Sequence, residues 1–376
     1  MKVGILGGGQ LARMLAQAGR PLGMEFMFLC PNPDACAAPF GQHLCAAFDD
    51  AAALKRFGDW SDVVTFEFEN IPAAVVDDLQ RRVPIHPPAI ALAVAQDRLR
   101  EKQTFQSLGI PTPRFSPANS LEQLREAVSD IGLPAIAKTR TQGYDGKGQA
   151  LLRNEEDLAA AWETLGRVPA IVETLVPFRR ELSIIAVRGS AGDTVFYPLI
   201  ENHHRSGILR LSLSRAGDPL QASAESCVRK LLEHLDYVGI LALELFQTDD
   251  GLLANEFAPR VHNSGHWTID GARTSQFENH LRAVGGLPLG DTGLIRPTAM
   301  VNLVGELPAA ADVRAIPGTV THLYDKTERP DRKIGHVNLS ASADTFDPVF
   351  FERLAQLLRL TGEDDLAARI RPPVAP

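Results

Sequence analysis

The stretch Gly239–Trp267 reads GILALELFQTDDGLLANEFAPRVHNSGHW, and it points most directly to the fold. Two runs of alternating apolar and polar residues flank Asp249-Asp250-Gly251, a tripeptide typical of a tight turn. The pattern predicts a β-hairpin. If the turn centres on Asp250, then Glu244 and Glu256 lie opposite each other on one face of the hairpin.

Two facing carboxylates at Glu244 and Glu256 repel each other unless a cation lies between them. Magnesium suits such a pair because it prefers carboxylate oxygens combined with the phosphate oxygens of a substrate. The alternative is a surface hairpin whose glutamates are solvated. Apolar neighbours on the same face favour the metal site because they are expected to be buried; they are Ala242, Phe246, Ala254 and Ala258. A register shift of one residue would separate the carboxylates.

A second motif, AKTRTQGYDGKGQ at 137–149, is a glycine-rich loop between two predicted strands. Gly143, Gly146 and Gly148 allow the backbone to approach phosphate oxygens, while Lys138 and Lys147 supply positive charge. The motif is not a Walker A loop, because GxxxxGK[ST] is absent. On its own it is equally well explained as a flexible hairpin with solvated lysines. With a magnesium hairpin downstream, it predicts a loop that covers nucleotide phosphates.

The stretch IVETLVPFRRELS at 171–183 predicts a strand followed by a charged turn. Its exposed backbone is suited to hydrogen-bonding an adenine edge, with Glu173 and Glu181 as candidate polar contacts. By itself the stretch indicates no more than a strand, so the nucleotide interpretation depends on the two preceding motifs.

The N-terminal stretch MKVGILGGGQLARMLAQAG predicts a strand, a glycine turn and a helix. Gly7, Gly9 and Ala12 fit the GxGxxA fingerprint of dinucleotide-binding folds. An NAD site also needs an acidic residue at the end of the second strand, where Cys30 and Pro31 stand instead. Two interpretations stay open: a tight strand-to-helix turn, or a helix N-terminus that binds an anion or polar group. A dehydrogenase is disfavoured.

The 376 residues carry a formal net charge of −8, with 45% hydrophobic and 22% charged residues, which is ordinary for a globular protein of two or three domains. An acidic chain argues against nucleic-acid binding, which needs a basic surface. No apolar run is long enough to predict a membrane span or membrane partner. Four cysteines match no metal-binding spacing and predict reduced thiols in the cytoplasm; they are Cys30, Cys36, Cys45 and Cys227.

The secondary-structure pattern divides the chain into three parts. The first hundred residues alternate strand and helix patterns, which indicates a parallel α/β unit. Pro87-Pro88 then leads into one long predicted amphipathic helix that ends at Gly109. Strand patterns dominate from Arg179 to about Pro259, and a smaller β-rich module closes the chain.

In this order, the motifs resemble those of the ATP-grasp superfamily and, within it, of the 5-(carboxyamino)imidazole ribonucleotide synthases of purine biosynthesis. The resemblance covers nearly the whole chain, and its segments are GGGQLARM (7–14), TFEFEN (65–70), AQDR (95–98), KTRTQGYDGKGQ (138–149), NEFAPRVHNSGHWT (255–268) and RKIGHVNL (332–339). Ala258 stands where many ATP-grasp proteins carry a third metal-site residue, Asn, a departure that this family shares.

The resemblance implies an α/β ATP-grasp fold in three parts. These are a Rossmann-like N-terminal domain at 1–97, an ATP-grasp domain at 98–290 with a lid subdomain at about 112–176, and a small β-rich C-terminal module at 291–376. It also implies a ligase that uses ATP and Mg²⁺, takes bicarbonate and 5-aminoimidazole ribonucleotide as substrates, and forms a homodimer. ATP would phosphorylate bicarbonate to carboxyphosphate. The amine would then attack carboxyphosphate or the carbon dioxide released from it.

The resemblance also implies residue roles. Glu244 and Glu256 would hold magnesium. The ATP site would comprise Arg98, Lys138, Gly143, Tyr144, Asp145, Gly146, Lys147, Gly148, Gln149, Glu173, Thr174, Leu175, Val176, Glu181, His204, Asn255 and Glu256. The ribonucleotide would contact Gln10, Leu11, Glu67, Asp145, Arg260 and Asn263, with its phosphate on Lys326, Arg332 and Lys333.

The catalytic set implied for bicarbonate and carboxyphosphate is Arg260, His262 and Asn263, assisted by Lys138 and Asp145. Arg260 suits a planar oxyanion because its guanidinium donates two parallel hydrogen bonds. Asp145 would orient the attacking amine or accept its proton. His262 is equally well explained as a structural histidine.

Three alternatives have different chemistry. The first is another ATP-grasp ligase, such as formate-dependent glycinamide ribonucleotide transformylase. The second is an NAD-dependent oxidoreductase, which nicotinamide cofactor binding would reveal. The third is a non-catalytic nucleotide-binding protein, which the intact set of Lys138, Glu244, Asn255, Glu256 and Arg260 disfavours.

Overall fold

The structure, a computed structural model, describes residues 1–143 and 146–370. Within these ranges the strands form a parallel N-terminal sheet and two antiparallel sheets. This mixed α/β architecture confirms the predicted fold class. No helix in the described ranges combines the length and apolar character that a bilayer span requires.

The N-terminal domain is a parallel sheet in the order β3-β2-β1-β4 with helices packed against it. Its elements are β1 (Lys2–Leu6), α1 (Gln10–Gly19), β2 (Glu25–Leu29), β3 (Gln42–Leu44), α2 (Ala51–Trp60), β4 (Val63–Phe66) and α3 (Ala73–Leu79). Strands β1, β2 and β4 are nearly continuous runs of buried residues, as parallel strands covered on both faces require.

Two helices follow this domain, so the prediction of a single long helix was wrong. Helix α4 (Ala89–Ala95) ends before Asp97, and α5 (Arg98–Ser107) begins after it. The Asp97 carboxylate accepts a hydrogen bond from Leu99 N at 2.9 Å, which caps α5. It also pairs with the Arg140 guanidinium, so Asp97 stays outside both helices.

The lid sheet (β5–β8) is antiparallel, in the order β5-β8-β6-β7. Its elements, with the helices that pack on it, are β5 (Phe115–Ala118), α6 (Leu121–Ile131), β6 (Ala135–Thr139), β7 (Gln149–Leu152), α7 (Asp157–Thr164) and β8 (Ala170–Thr174). Lys138 on β6 pairs with Gln149 on β7. The two strands predicted on either side of the glycine-rich loop are therefore confirmed.

The central sheet is antiparallel and follows the order β14-β13-β9-β11-β12-β15-β17-β16, with β10 beside β9. Its strands are β9 (Arg180–Arg188), β10 (Thr194–Phe196), β11 (Leu199–Arg205), β12 (Ile208–Arg215), β13 (Gly239–Thr248), β14 (Gly251–Ala258), β15 (Thr298–Val304), β16 (Thr319–Leu323) and β17 (Lys333–Ser340). The remaining helices are α8 (Gln221–His234), α9 (Thr268–Gly271), α10 (Gln276–Val284), α11 (Ala310–Arg314), α12 (Pro348–Leu360) and α13 (Asp364–Arg369).

The C-terminal module is not a separate sheet. Its strands β15, β16 and β17 extend the central sheet through the β12–β15 pairing, and α12 and α13 pack on them through apolar residues such as Leu354 and Leu366. This continuity connects β17 to the β13–β14 hairpin through one sheet.

Candidate active site

A cleft of about 750 Å³ lies where the N-terminal domain, the lid sheet and the central sheet meet. The predicted site residues on its wall are Gln10, Leu11, Glu67, Arg98, Lys138, Gly143, Gly146, Lys147, Gln149, Glu181, His204, Glu244, Asn255, Glu256, Arg260, His262, Asn263 and Lys333. The described residues that were predicted but do not line it are Gly148, Glu173, Thr174, Leu175, Val176, Lys326 and Arg332. Tyr144 and Asp145 lie outside the described residues.

The predicted hairpin is present, but its turn is centred half a residue earlier than expected. Strands β13 and β14 are joined by two residues, with Thr248 opposite Gly251. In that register Glu244 would face Asn255. A β-bulge next to Glu244 shifts the pairing by one residue, so that Glu244 faces Glu256. The facing carboxylates are therefore confirmed, but the bulge rather than the turn aligns them.

The bulge also places Ala254 on the other face of the hairpin, which corrects its predicted position. Ala254 pairs with Leu245 and packs with Leu243 in the core beneath α8. Ala242 and Ala258 belong to a different core, on the carboxylate side. Ala254 is buried as expected, but it does not neighbour the carboxylates because a one-residue shift inverts the alternation of a strand.

The Glu244 carboxylate is 17% exposed, and its Oε1 lies 3.2 Å from Nε2 of His262. Burial and the charge of Glu256 raise the pKa of Glu244 to about 7. Burial and the nearby Arg260 hold the pKa of His262 well below its usual range, so this imidazole is neutral. Its Nδ1 accepts a hydrogen bond from Ser264 N at 3.3 Å, which assigns the ring proton to Nε2, facing Glu244.

The donor set around the two glutamates suits magnesium. The Oδ1 atom of Asn255 is buried and has no hydrogen-bond partner among the described residues. Glu244, Asn255 and Glu256 thus supply only oxygen atoms, which this cation prefers. The described residues contain no group of three or more His, Cys, Asp or Glu that could hold a metal ion. Two carboxylates and one amide oxygen are fewer ligands than magnesium takes, so the arrangement fits an ion that shares its coordination with substrate phosphates.

The glycine-rich loop is held at both ends. Arg98 donates from Nη1 to Thr139 O at 3.0 Å and from Nη2 to Gly143 O at 3.3 Å. Gly146 has φ +76°, and a Cβ there would lie 3.0 Å from the Cα of Gly207 in the β11–β12 turn. The loop thus packs closely on that turn, and glycine is required for the approach.

Lys138 and Glu173 form a buried ion pair beneath the loop. The Glu173 Oε2 atom lies 3.0 Å from Lys138 Nζ and 3.4 Å from Nζ of Lys102. Burial alone would raise the pKa of Glu173, but the two lysines lower it to about 2. Because this carboxylate is 3% exposed and engaged by two cations, adenine contacts from this strand would have to come from the backbone that follows it.

Two further pairs of side chains line the cleft. Oε2 of Glu181 lies 2.7 Å from Nδ1 of His204. Burial would lower the pKa of His204, but the Glu181 carboxylate raises it. Phe178 and Phe246 stack with ring centroids 5.0 Å apart and form a flat apolar wall suited to a purine ring. The aromatic pair is not predicted from the sequence, because its two rings come from separate segments of the chain.

Arg260 is held by a carboxylate that was not among the predicted site residues. Its Nη2 lies 2.6 Å from Oε1 of Glu69, which also lines the cleft. Glu69 lies within the quoted TFEFEN segment, so the signal was present in the sequence. Asn263 is fixed by a reciprocal amide pair with Asn302, at 3.0 and 2.7 Å. Contacts within the chain therefore orient both side chains.

The residues predicted for the ribonucleotide are only partly assembled on the wall. Lys326 Nζ donates to Oε1 of Gln10, and Lys333 lies on the wall itself. Arg332 does not line the cleft, and its Nη1 donates to the carbonyl of Thr327, the residue after Lys326, at 3.1 Å. Of these three basic residues, Lys333 at the start of β17 therefore lines the cleft, and Lys326 is linked to it through Gln10.

The position of Glu67 explains the N-terminal GxGxxA fingerprint. Its carboxylate accepts hydrogen bonds from Gly9 N and from Ala12 N, the latter at 2.9 Å. A Cβ at Gly7 would lie 2.4 Å from the Glu67 side chain. The glycines therefore accommodate a carboxylate of this chain at the helix N-terminus, where a dinucleotide pyrophosphate would otherwise bind.

Three family models match successive parts of the chain. They describe a ribonucleotide synthetase preATP-grasp domain at residues 1–96, an ATP-grasp domain at 103–277, and a phosphoribosylaminoimidazole carboxylase C-terminal domain at 298–345.

Full-length relatives show the same similarity. The chain is 54% identical to the N5-carboxyaminoimidazole ribonucleotide synthase of Pseudomonas aeruginosa over 339 residues, which is 90% of this chain and 94% of that protein. Among solved structures, it matches the N5-carboxyaminoimidazole ribonucleotide synthetase of Thermus thermophilus with a TM-score of 0.91 and 53% identity, covering 96% and 99% of the two chains. It also matches an Aspergillus clavatus N5-carboxyaminoimidazole synthase, in complex with ADP and 5-aminoimidazole ribonucleotide, with a TM-score of 0.87 and 29% identity over 98% and 99%.

Proposed function

The chain belongs to the N5-carboxyaminoimidazole ribonucleotide synthase family of ATP-grasp enzymes, and from this premise we propose how its residues perform the ATP-dependent step of purine biosynthesis. Family membership supports this function over that of a formate-dependent transformylase. One observation supports the residue assignments: the Glu244–Glu256 pair, Lys138, the glycine-rich loop and Arg260 all meet in one cleft.

ATP is proposed to lie between the lid and central sheets. Its purine would rest on Phe178 and Phe246, and the backbone of 174–176 would meet its edge. Glu181 would accept hydrogen bonds from the ribose hydroxyls, with His204 beside it. The phosphates would lie under the loop at 143–149, facing Lys138 and Arg98.

Glu244, Glu256 and the Asn255 amide oxygen are proposed to hold magnesium. Bound there, the ion would neutralise negative charge on the ATP phosphates, since phosphoryl transfer depends mainly on positioning and electrostatics. Neutral His262, held by Ser264 and facing Glu244, would orient one of these carboxylates.

Bicarbonate is proposed as the first acceptor, to be phosphorylated beside Arg260, His262 and Asn263. The Arg260 guanidinium, held by Glu69, would donate to the planar oxyanion of bicarbonate and of carboxyphosphate. The 5-aminoimidazole ribonucleotide would lie toward helix α1, near Gln10, Leu11 and Glu67. Its phosphate would lie near Lys326 and Lys333, and Asp145 would orient the amine or accept its proton.

The test is ATP hydrolysis by the purified protein with magnesium and bicarbonate, in the presence and absence of 5-aminoimidazole ribonucleotide. Strong stimulation, with a labile product trapped from labelled bicarbonate, is expected. Stimulation by glycinamide ribonucleotide and formate in place of these substrates would contradict the proposal.

A cytoplasmic homodimer is also proposed, on the basis of family membership alone; light scattering of the purified chain tests the dimer. The domain boundaries 1–97, 98–290 and 291–376, with the lid at about 112–176, stay predictions. Limited proteolysis, with cleavage sites mapped by mass spectrometry, would test them.

A further inference from the structure

A buried lysine on helix α5 connects two parts of the active site that sequence analysis treated separately. Lys102 is 1% exposed and lies behind the cleft wall. Its Nζ donates to Asn255 O at 2.6 Å and to Ala254 O at 3.3 Å, and lies 3.4 Å from Oε2 of Glu173. A buried lysine is rare and is kept charged only by such partners.

The two carbonyls lie at the β-bulge of the metal hairpin. In a regular strand, successive carbonyls point to opposite sides, so one ammonium group cannot reach both. The bulge turns the carbonyls of Ala254 and Asn255 toward the same side, where Lys102 binds both. Strand β14 is an edge of the central sheet, so on the side away from β13 no neighbouring strand can satisfy these oxygens.

The residue beside Lys102 binds the same edge. Glu101 Oε1 accepts a hydrogen bond from Phe257 N at 2.7 Å. The backbone on both sides of Glu256 is therefore fixed by two consecutive side chains of α5. This fixed backbone determines which side chain of β14 faces Glu244.

On its other side, Lys102 shares Glu173 with Lys138. The Lys138 Nζ lies 3.0 Å from the Glu173 oxygen that also faces Lys102. The continuous series Asn255–Lys102–Glu173–Lys138 thus runs from the edge of the central sheet to strand β6 of the lid sheet. A change at Lys102 alters the surroundings of both the proposed metal ligands and the phosphate-facing lysine.

We infer that Lys102 is a positioning residue of the active site. It holds the bulge that presents Asn255 and Glu256 to the metal, and through Glu173 it sets the position of the Lys138 ammonium group. This inference rests on the proposed metal pair. It assigns Lys102 no contact with substrate, and its effect is exerted through backbone geometry and a shared carboxylate.

The test is calorimetric titration of Mg²⁺ into the enzyme–ADP complex. This titration measures metal affinity without turnover. Lys102→Met is expected to weaken Mg²⁺ binding by about tenfold, the lower range for residues that orient metal ligands. Lys230→Met is the matched control, because Lys230 also donates to a backbone carbonyl, that of Gly109 at 3.3 Å, but lies outside the cleft. Unchanged Mg²⁺ affinity in folded Lys102→Met would overturn the inference.

A second pair of variants covers the case in which Lys102→Met does not fold. Glu173→Gln removes the buried negative charge, and the double variant Lys102→Met with Glu173→Gln removes both charges of the Lys102–Glu173 pair, a change that buried pairs often tolerate, while Lys138 keeps its charge at the cleft. The double variant is expected to bind Mg²⁺ more weakly than Glu173→Gln alone. Equal affinity of the two variants would overturn the inference.

Glu256→Gln separates this inference from the metal assignment on which it rests. If Glu256→Gln lowers Mg²⁺ affinity and Lys102→Met does not, only the role of Lys102 fails. If Glu256→Gln retains the affinity of the unmodified enzyme, the metal pair itself fails.

Discussion

Glu67 caps helix α1 by accepting a hydrogen bond from Ala12 N at 2.9 Å, across 55 residues of sequence. The same carboxylate accepts from Gly9 N, so one acidic side chain satisfies two of the free amides at the start of the helix. Gln10 and Leu11, proposed to contact the ribonucleotide, lie between these two anchor points. A residue predicted to bind substrate thus also fixes the backbone that presents the other substrate contacts.

Replacing Glu67 with Gln is expected to destabilise the fold by about 1 kcal/mol, because an amide has one acceptor oxygen and no charge to complement the helix dipole. The KM for the ribonucleotide should rise as well. Urea unfolding and initial-rate kinetics measure the two effects. Asp62→Asn is the control, since Asp62 accepts a backbone amide, from Lys2, at an exposed site. Equal effects of the two substitutions would contradict the role given to Glu67.

Glu256→Gln tests the metal pair by turnover. The substitution keeps the size of the side chain but removes a charge from the proposed Mg²⁺ site, so kcat should fall by about a hundredfold or more while the fold stays intact. Circular dichroism and the rate of ADP formation measure these outcomes. Asp250→Asn, in the exposed turn of the same hairpin, should leave kcat unchanged. Near-normal activity of Glu256→Gln would exclude the metal assignment.

Gly146→Ala tests the contact between the glycine-rich loop and the β11–β12 turn. A methyl group at this position meets the backbone of Ser206 and Gly207 at 3.0 Å, so the loop should close less well and kcat/KM for ATP should fall. The KM for the ribonucleotide should be unaffected. Gly132→Ala is the matched control, because Gly132 also has positive φ, +89°, but has open space around it. If both variants lose the same activity, backbone strain rather than the loop contact is responsible.

Lys326→Ala and Lys333→Ala should each raise the KM for the ribonucleotide by about tenfold, whereas Arg332→Ala should change it little. The reason is geometric: Lys333 lines the cleft and Lys326 bonds to Gln10, but Arg332 is directed to Thr327. Initial rates at saturating ATP measure the difference. An equal rise in the KM for ATP would remove the two lysines from the phosphate site.

Glu173→Gln tests the buried ion pairs through pH. The folded-state pKa of about 2 lies below the ordinary value of 4.5, so the stabilisation by Glu173 is fully present above pH 4.5 and is lost as pH falls toward 2. Glu173→Gln should therefore cost about 3 kcal/mol of unfolding free energy at pH 7, and this difference should shrink between pH 4.5 and 2. Urea unfolding across this range measures it.

Glu163→Gln serves as the surface control for this experiment. Glu163 pairs with Arg167 one helical turn away at an exposed site. Its substitution should change stability by less than about 1 kcal/mol at every pH. A Glu173→Gln effect that is equally small, or independent of pH, would contradict the buried pair.

Local sequence signals determined the hairpin, the glycine-rich loop between two strands and the parallel N-terminal sheet. Turn chemistry and apolar alternation act between residues a few positions apart, so these elements can be predicted directly from the sequence. The family motifs then predicted the site residues, and most of those residues line one cleft. The single long helix was mispredicted because the capping of α5 by Asp97 outweighs continuous helical periodicity.

Only the tertiary structure decided how the site is assembled. The bulge that aligns Glu244 with Glu256 is held by Lys102, whose partner carbonyl is 153 residues away in sequence. The Glu69–Arg260 pair and the Phe178–Phe246 stack likewise join residues from distant segments. The register of an edge strand and the pairing of buried charges depend on the residues that pack against them. No local pattern in the chain encodes those neighbouring residues.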